Sequence, residues 1–177
     1  GGAVVSTDRL FPRLTAECPG DIYLKPAQLC DEAYWLSIRN NHDAVKWSRT
    51  PKPIHVQAHH VWFCESLSPT MAHKRRLWLV MFCHPQFAEH PIGIGRMDHR
   101  GTWAELSIVL DPLYRGHGLG TRAIQALCYT VDMLHWPTPG AVVNGKNRRS
   151  LKTFLKAGFS LQSRRWVELR RYKKRGA

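Results

Sequence analysis

The stretch Ile108–Thr121, IVLDPLYRGHGLGT, decides how the rest of this sequence is interpreted. It begins with a run of apolar residues, passes through a turn rich in glycine, and continues into an apolar-periodic segment that predicts a helix from Gly118 to Leu134. Glycines let a backbone approach a ligand closely, and the first N–H groups of a helix carry partial positive charge. The stretch therefore predicts a strand–turn–helix unit whose turn can hold an anion such as a pyrophosphate.

The turn differs from two other glycine motifs that bind phosphate. No Gly-Lys-Ser/Thr sequence follows it, which excludes a P-loop. Four predicted strands precede it, whereas the dinucleotide-binding GxGxxG motif lies in the first strand–helix unit of its domain. Because glycine turns before helices are common, the turn alone also has a plain structural interpretation.

Two later motifs make the signal more specific. The turn itself contains R-x-x-G-x-G at residues 115–120, and the two later motifs are N-x-x-S at 147–150 and K-x-G-F at 156–159. In this order and spacing they resemble the GNAT N-acetyltransferase superfamily, and the resemblance extends from Gly93 to about Arg171. It implies an α/β fold in which a mixed, splayed β-sheet of the GNAT type has helices on both faces.

The resemblance also implies acetyl-CoA as the cofactor. In that superfamily the strand matching Ser107–Leu110 splays from its neighbour and its open edge holds the pantetheine arm, while the glycine turn holds the pyrophosphate with backbone amides. An edge strand does offer unpaired N–H and C=O groups, and such a turn offers donors to an anion. The cofactor-binding residues carried over are Ile108, Val109, Leu110, Arg115, Gly116, His117, Gly118, Leu119, Gly120, Thr121, Asn147, Ser150 and Phe154.

Glu105 is the candidate general base. Strand alternation places its side chain on the face opposite Leu106 and Ile108, and a carboxylate here resembles the base position of many GNAT enzymes. A neutral amine must attack the thioester, so a base has to take a proton. A solvent-facing acid is the alternative interpretation. The superfamily's tyrosine acid corresponds to Phe154, so the proton donor is another group, such as water or Tyr129, or is dispensable.

The first third of the chain carries motifs for the substrate side. They are Arg-Asn at 39–40, Trp at 47 and His-x-x-Trp-Phe at 59–63. With Gly-Arg-Met-Asp at 95–98, they look like N-acetyltransferases that act on nucleotide-linked amino deoxy sugars in nonulosonic (pseudaminic-type) acid biosynthesis. Tryptophan can stack on a base or a sugar face, and Arg and His can hold a phosphate. The candidates for substrate binding are Arg39, Asn40, Trp47, His59 and Trp62; the alternative places both tryptophans in the core.

Other acceptors and another class of protein stay open. The acceptor amine could belong to a protein N-terminus, a polyamine or an aminoglycoside. A polyamine fits poorly, because a protein with a net charge of +13 repels a cation unless it has a local acidic pocket. The rival class is a non-catalytic acyl-CoA-binding or nucleic-acid-binding module, which the missing tyrosine and the basic C-terminus would suit. A homodimer is also left open.

Composition excludes several further classes. The 177 residues are 44% hydrophobic and 22% charged, which is typical of one globular domain. The longest apolar run, Leu77–Cys83, is far shorter than the ~20 residues of a membrane span. Five scattered cysteines without a CxxC pair favour a reduced, cytoplasmic protein. His55 and His59 have the spacing of metal ligands, but no further ligand is fixed nearby, so no metal is predicted.

We predict three regions: an N-terminal extension at 1–20, one GNAT domain at 21–172, and a basic tail at 173–177. Gly1 and Gly2 in place of a Met favour a processed start. The predicted strands are 21–25, 76–83, 91–98, 103–110, 141–144, 159–162 and 165–172, and the predicted helices are 27–39, 56–67, 118–134 and 148–157. Pro26 suits a first helical position, and Leu29, Ala33 and Leu36 form the predicted apolar stripe of the first helix. Seven basic residues lie between Arg164 and Arg175, but no motif for base recognition accompanies them, so nucleic acid is not an expected partner.

Overall fold

A computed structural model describes residues 21–85, 87–162 and 166–170, and these ranges form seven strands and five helices. The strands are β1 (Asp21–Pro26), β2 (Arg75–His84), β3 (Phe87–His99), β4 (Ala104–Leu110), β5 (Pro139–Asn144), β6 (Ser160–Leu161) and β7 (Trp166–Arg170). The helices are α1 (Glu32–Arg39), α2 (His42–Lys46), α3 (Val56–Leu67), α4 (Leu119–Met133) and α5 (Arg148–Lys156).

The strands form one mixed sheet in the order β1-β2-β3-β4-β5-β7-β6. Every neighbouring pair is antiparallel except β4 and β5, which run parallel. That parallel pair is joined by α4, as a crossover between parallel strands requires. The predicted α/β class and the splayed sheet are confirmed.

The splay lies between β4 and β5. Their pairing contains two register pairs, Ala104 with Pro139 and Glu105 with Gly140. Beyond Glu105 the two strands diverge, while β4 stays fully paired with β3 on its other side. The segment Leu106–Leu110 therefore has one edge that faces no strand in the described part of the chain.

Helices cover both faces of the sheet. On one face, α4 buries its apolar stripe against alternate residues of β3 and β4; this cluster includes Met97, Leu106, Ile124, Leu127 and Val131. On the other face, α1 and α3 pack on β2 and β3; that cluster includes Trp35, Ile38, Phe63, Leu79 and Ile94. Glu105 and Ser107 belong to this second face because they alternate with Leu106 along β4.

The local predictions near the N-terminus need correction. Pro26 ends β1 instead of starting a helix, and a 3-10 turn at Leu29–Asp31 precedes α1. The buried side of α1 is Trp35 and Ile38, not the predicted stripe, whose first member Leu29 is 62% exposed. The short helix α2 has no counterpart in the sequence analysis.

Two predicted regions, the extension at 1–20 and the tail at 173–177, lie outside the described residues, as do the ends of the last predicted strand. Within the described ranges, no helix combines the length and the apolar character that crossing a bilayer would require. The same ranges contain no group of three or more His, Cys, Asp or Glu arranged to hold a metal ion.

Candidate active site

One large cleft opens where β4 and β5 diverge, with a volume of about 1490 Å³. Its floor is Glu105–Leu110 of β4, and its walls are the glycine turn, the start of α5, and the segment that connects α1 to α3. Eleven Lys and Arg residues line the cleft, against two acids, Asp43 and Glu105. The cleft therefore favours anionic ligands along most of its length.

The glycine turn has the backbone of an anion cradle. Gly116 and Gly118 adopt left-handed φ values of 86° and 77°, and a Cβ added to either would meet nothing within 4 Å. Gly118 is also the N-cap of α4 and gives it no side-chain cap, so no side chain at that position covers the first N–H groups of the helix. Gly120 serves another purpose, because a Cβ there would approach Thr153 Cγ2 at 3.2 Å where α4 passes α5.

Arg115 holds the end of β4 in place. Its Nε and Nη2 donate to the Leu110 carbonyl at 3.0 and 2.8 Å, and its Nη1 donates to Asp43 of α2. Asp43 also lies 3.6 Å from Arg149 of α5. One carboxylate thus links the turn, α2 and α5 across the cleft. Burial raises the pKa of Asp43, but the neighbouring charges, with Arg115 first among them, more than offset this and lower the pKa overall.

The predicted cofactor residues divide by location. Those whose residues line the cleft are Ile108, Val109, Leu110, Arg115, Gly116, Gly118, Gly120, Thr121, Asn147, Ser150 and Phe154. Leu119 is buried in the core and His117 is exposed, and neither lines the cleft. The predicted role of these two rests on backbone amides and stays a prediction.

The start of α5 shows what the N-x-x-S motif does locally. The Asn147 side chain accepts a hydrogen bond from the Ser150 N–H at 3.1 Å, so it is the N-cap of the helix. Phe154 is buried and meets Phe159 edge to face at 5.1 Å. Tyr129, the suggested proton donor, lies 66% exposed on α4 away from the cleft, and none of the described residues that line the cleft is a tyrosine.

Glu105 lies on the cleft side of β4, as predicted, and is buried between two arginines. Its Oε1 accepts from Arg49 Nη2 and its Oε2 accepts from Arg100 Nε, each at 2.9 Å. A carboxylate has about four acceptor sites, so these bonds leave room for a third donor. The alternative of a solvent-facing acid is wrong, because Glu105 is only 7% exposed.

A second buried carboxylate continues this network under the cleft. Asp98 lies opposite Glu105 in the β3–β4 register and pairs with Arg75 at 2.7 Å, Arg96 at 2.8 Å and Arg100 at 3.7 Å. Burial lowers the pKa of Arg96 despite the nearby Asp98 charge. Arg49, Arg96 and Arg100 were not predicted from the sequence. The available signal for Arg96 was a charged residue that alternates with apolar ones in a central strand.

Four of the five substrate-binding candidates line the cleft: Arg39, Trp47, His59 and Trp62. Trp62 is partly buried against Trp35, at 5.7 Å between ring centroids, and Trp47 lies in the segment after α2. Asn40 does not line the cleft, since both ends of its side-chain amide bond to the backbone of Ile54, at 2.8 and 2.7 Å. Asn40 instead fixes the segment that enters α3.

His59 is the most buried of these candidates. It is 1% exposed and stacks on Phe63 with 5.4 Å between ring centroids. Its Nδ1 lies 3.6 Å from Glu32, which is beyond hydrogen-bond distance, and Nε2 has no partner among the described residues. Burial lowers the pKa of His59, with Glu32 acting in the opposite direction.

Comparisons with known proteins agree with this geometry. Residues 21–160 match the model of the acetyltransferase (GNAT) domain. The chain belongs to the GNAT acetyltransferase family. It is therefore an N-acetyltransferase that uses acetyl-CoA. No curated protein matches the sequence significantly.

Solved structures share the fold at low sequence identity. A domain from Methanocaldococcus jannaschii DSM 2661 has a TM-score of 0.74 at 17% identity, covering 85% of this chain and 97% of that one. The aminoglycoside acetyltransferase AAC(6')-Ib, in complex with coenzyme A and kanamycin, has a TM-score of 0.70 at 16% identity and covers 87% and 96%. Spermidine N-acetyltransferase from Vibrio cholerae, in complex with CoA and spermine, has a TM-score of 0.67 at 16% identity and covers 84% and 92%.

The residues of this GNAT protein fit acetyl-CoA. The unpaired edge at Leu106–Leu110 offers strand-like hydrogen bonds, and the turn at Gly116 and Gly118 leaves open space beside an uncapped helix N-terminus. Basic residues at the start of α5, including Arg148 and Arg149, line the same mouth of the cleft. These groups would hold a chain-like ligand that ends in phosphates.

Gly118→Ala should weaken coenzyme A binding by about 10-fold or more with the fold intact, because it puts a methyl group into the cradle. The control is Gly101→Ala: Gly101 has a φ of 76° and equally open surroundings, in a turn that does not line the cleft. Both variants acquire the same backbone strain. Calorimetry giving equal losses in both variants would contradict the cradle assignment.

His59 should make the protein less stable in mild acid. Its folded-state pKa is lower than the ~6.5 of an unfolded chain, so the unfolded chain binds the proton first and stability falls as pH drops below about 6.5. In urea unfolding, His59→Phe should lose less free energy of unfolding than the wild type between about pH 7.5 and 5.5. Exposed His117→Phe is the control, and equal pH dependence in all three proteins would refute this.

Proposed function

We propose that this N-acetyltransferase acetylates the amino group of a nucleotide-linked amino sugar. The observation that supports it is the charge of the cleft at the end where the acceptor would enter. We call this region the acceptor end; it is lined by Trp35, Arg39, Trp47, Arg49, His59, Trp62, Arg96 and Glu105. Of the three guanidinium groups there, that of Arg49 pairs with Glu105 and that of Arg96 with the buried Asp98, whereas that of Arg39 has no carboxylate partner among the described residues.

The aromatic groups suit the other part of such an acceptor. Trp47 and Trp62 are partly buried and line the cleft, so each exposes one portion of an indole to it. An indole face can stack on a nucleobase or cover a sugar ring. An anion beside a flat apolar group is the chemistry that a sugar nucleotide presents.

The transfer needs an acyl donor and a place for one proton. When bound, acetyl-CoA supplies an acetyl group activated as a thioester. We assign to Glu105 the acceptance of the proton that the substrate ammonium loses, through the acceptor sites that Arg49 and Arg100 leave open. Phe154 has no proton to donate and no tyrosine among the described residues lines the cleft, so the thiolate released when the C–S bond breaks would take its proton from solvent.

The fold neighbours favour a second candidate acceptor, a polycation. Two of them were solved with kanamycin and spermine. A polycation needs unpaired carboxylates, but the two acids that line this cleft are held by arginines: Glu105 by Arg49 and Arg100, and Asp43 by Arg115. The charge of the cleft therefore argues against that candidate.

A thiol-release screen with acetyl-CoA should separate the two acceptors. The panel is a UDP-linked amino sugar, kanamycin, spermidine and a peptide with a free N-terminus. We expect kcat/KM for the sugar nucleotide to exceed that of each other amine by at least about 10-fold, the value of one charge-assisted contact. Preferred turnover of kanamycin or spermidine would show that the acceptor proposal is wrong.

Glu105→Gln should reduce kcat by about 100-fold with an unchanged Kd for coenzyme A, because glutamine keeps the shape and cannot take a proton. The loss should shrink at high pH, where the amine deprotonates unaided. Glu65→Gln, an exposed acid of α3, is the control. A Glu105→Gln enzyme with near wild-type kcat across roughly pH 6 to 9 would reduce Glu105 to a structural partner of the two arginines.

A further inference from the structure

The sheet face beneath the acceptor end holds more positive charge than its carboxylates balance. Five arginines reach this region, namely Arg39, Arg49, Arg75, Arg96 and Arg100, and the ion pairs there use only Asp98 and Glu105. Partly buried charge without a counterion is costly. Such an imbalance is typical of a site whose partner is a ligand.

Arg39 is the least compensated of the five. It ends α1, is half-buried, and lines the cleft. Its guanidinium donates to the Ser48 hydroxyl at 2.9 Å, and no carboxylate of the described residues lies within 4.0 Å of it. Burial lowers the pKa of Arg39, and the nearby charge of Arg96 lowers it further. The two guanidinium groups therefore repel each other across the acceptor end.

Arg96 supplies the second guanidinium from the centre of the sheet. Its carboxylate partner Asp98 is shared with Arg75 and Arg100, so one negative charge serves three positive ones. Arg75 and Arg100 line a separate cavity of about 580 Å³, whereas Arg96 lines the main cleft beside Arg39. The surplus charge of the acceptor end therefore faces the cleft.

Two buried polar groups at the same end also lack partners. Trp35 Nε1 and both ring nitrogens of His59 make no hydrogen bond within the described ranges, although both residues line the cleft. Buried polar atoms are nearly always satisfied in proteins. The wall of the acceptor end is therefore short of hydrogen-bond acceptors, although these nitrogens are themselves closed off from solvent.

We infer that Arg39 and Arg96 form a seat for a phosphate group of the acceptor. This rests on the proposed function and specifies how its substrate is chosen. Arg96 lies opposite Ser107, two residues along β4 from Glu105. The side chains of Arg96 and Glu105 therefore project from adjacent register positions on the same face of the sheet. The seat therefore selects an amine whose molecule also carries a phosphate group.

The test compares two probes that share one amine, glucosamine 1-phosphate and glucosamine. Each is titrated by calorimetry into protein saturated with coenzyme A, so that the cofactor's own phosphate sites are filled. The wild type should bind the phosphorylated probe at least about 10-fold more tightly, as expected for charge-assisted hydrogen bonds. Arg39→Met should abolish that preference and leave the Kd for coenzyme A unchanged.

Two further variants keep the test decisive. Arg76→Met removes an equivalent charge from an exposed site on β2 and should retain the preference. Arg39→Lys keeps the charge but loses the planar fork, so it should show an intermediate preference even if Arg39→Met does not fold. Equal affinity of the wild type for both probes, or an unchanged preference in Arg39→Lys and Arg39→Met, would overturn the seat.

The outcome also separates the seat from the proposed function. An Arg39-dependent preference for the phosphorylated probe, in a protein that acetylates no sugar nucleotide in the thiol-release screen, would support the seat and refute the proposed function. Turnover of sugar nucleotides with no phosphate preference in the binding test would support the proposed function and refute the seat.

Discussion

The early end of parallel pairing between β4 and β5 is the constraint on which the site depends. After Glu105 the two strands no longer share hydrogen bonds, so the β5-facing edge of β4 opens into the cleft. The last carbonyl of that strand, of Leu110, is held by Arg115, which in turn is fixed by Asp43. This clamp sets the end of the open edge beside the glycine turn. The open edge of β4, which can hydrogen-bond to an extended ligand, therefore leads directly to the glycine turn, which can bind an anion.

Charge, more than shape, distinguishes the acceptor end of this protein. Glu105 and Asp98 lie opposite each other on neighbouring strands, which would be repulsive without counterions. Arg100 contacts both carboxylates and so ties the pair together. The remaining arginines exceed what two carboxylates can balance. The network that stabilises the buried Glu105 carboxylate also leaves a surplus of positive charge in the cleft, which is unfavourable for a polycation.

Local signals in the sequence predicted most of the fold. The strand–turn–helix unit, the α5 motif and the positions of β2 to β4 depend on neighbours within a few residues, and glycines at 116 and 118 do take the left-handed backbone that a tight turn needs. The predicted apolar stripe of the first helix was wrong, because Trp35 and Ile38 follow a helical spacing that is just as regular as that of the predicted residues. Only the packing of α3 and the sheet decides which of the two sets is buried.

Long-range ion pairs could not be predicted in the same way. The bond between Arg49 and Glu105 joins residues 56 apart, and that between Arg115 and Asp43 joins residues 72 apart. Neither pair carries a periodic signature, since any arginine of this basic chain could have served. The sequence could therefore place Glu105 on the right face of β4, but not predict that the carboxylate is clamped.

Strand geometry explains how one strand can present two different surfaces to the cleft. Side chains project above and below a sheet, whereas backbone hydrogen-bonding groups lie in its plane. Along β4, Glu105 and Ser107 project from the face that α1 and α3 cover, Leu106 anchors the strand on α4, and the free backbone edge opens into the cleft. The acceptor end is completed by α1, α3 and the segment between them, none of which forms that edge. Substitutions in these elements can therefore change the acceptor end without altering the strand edge that opens into the cleft.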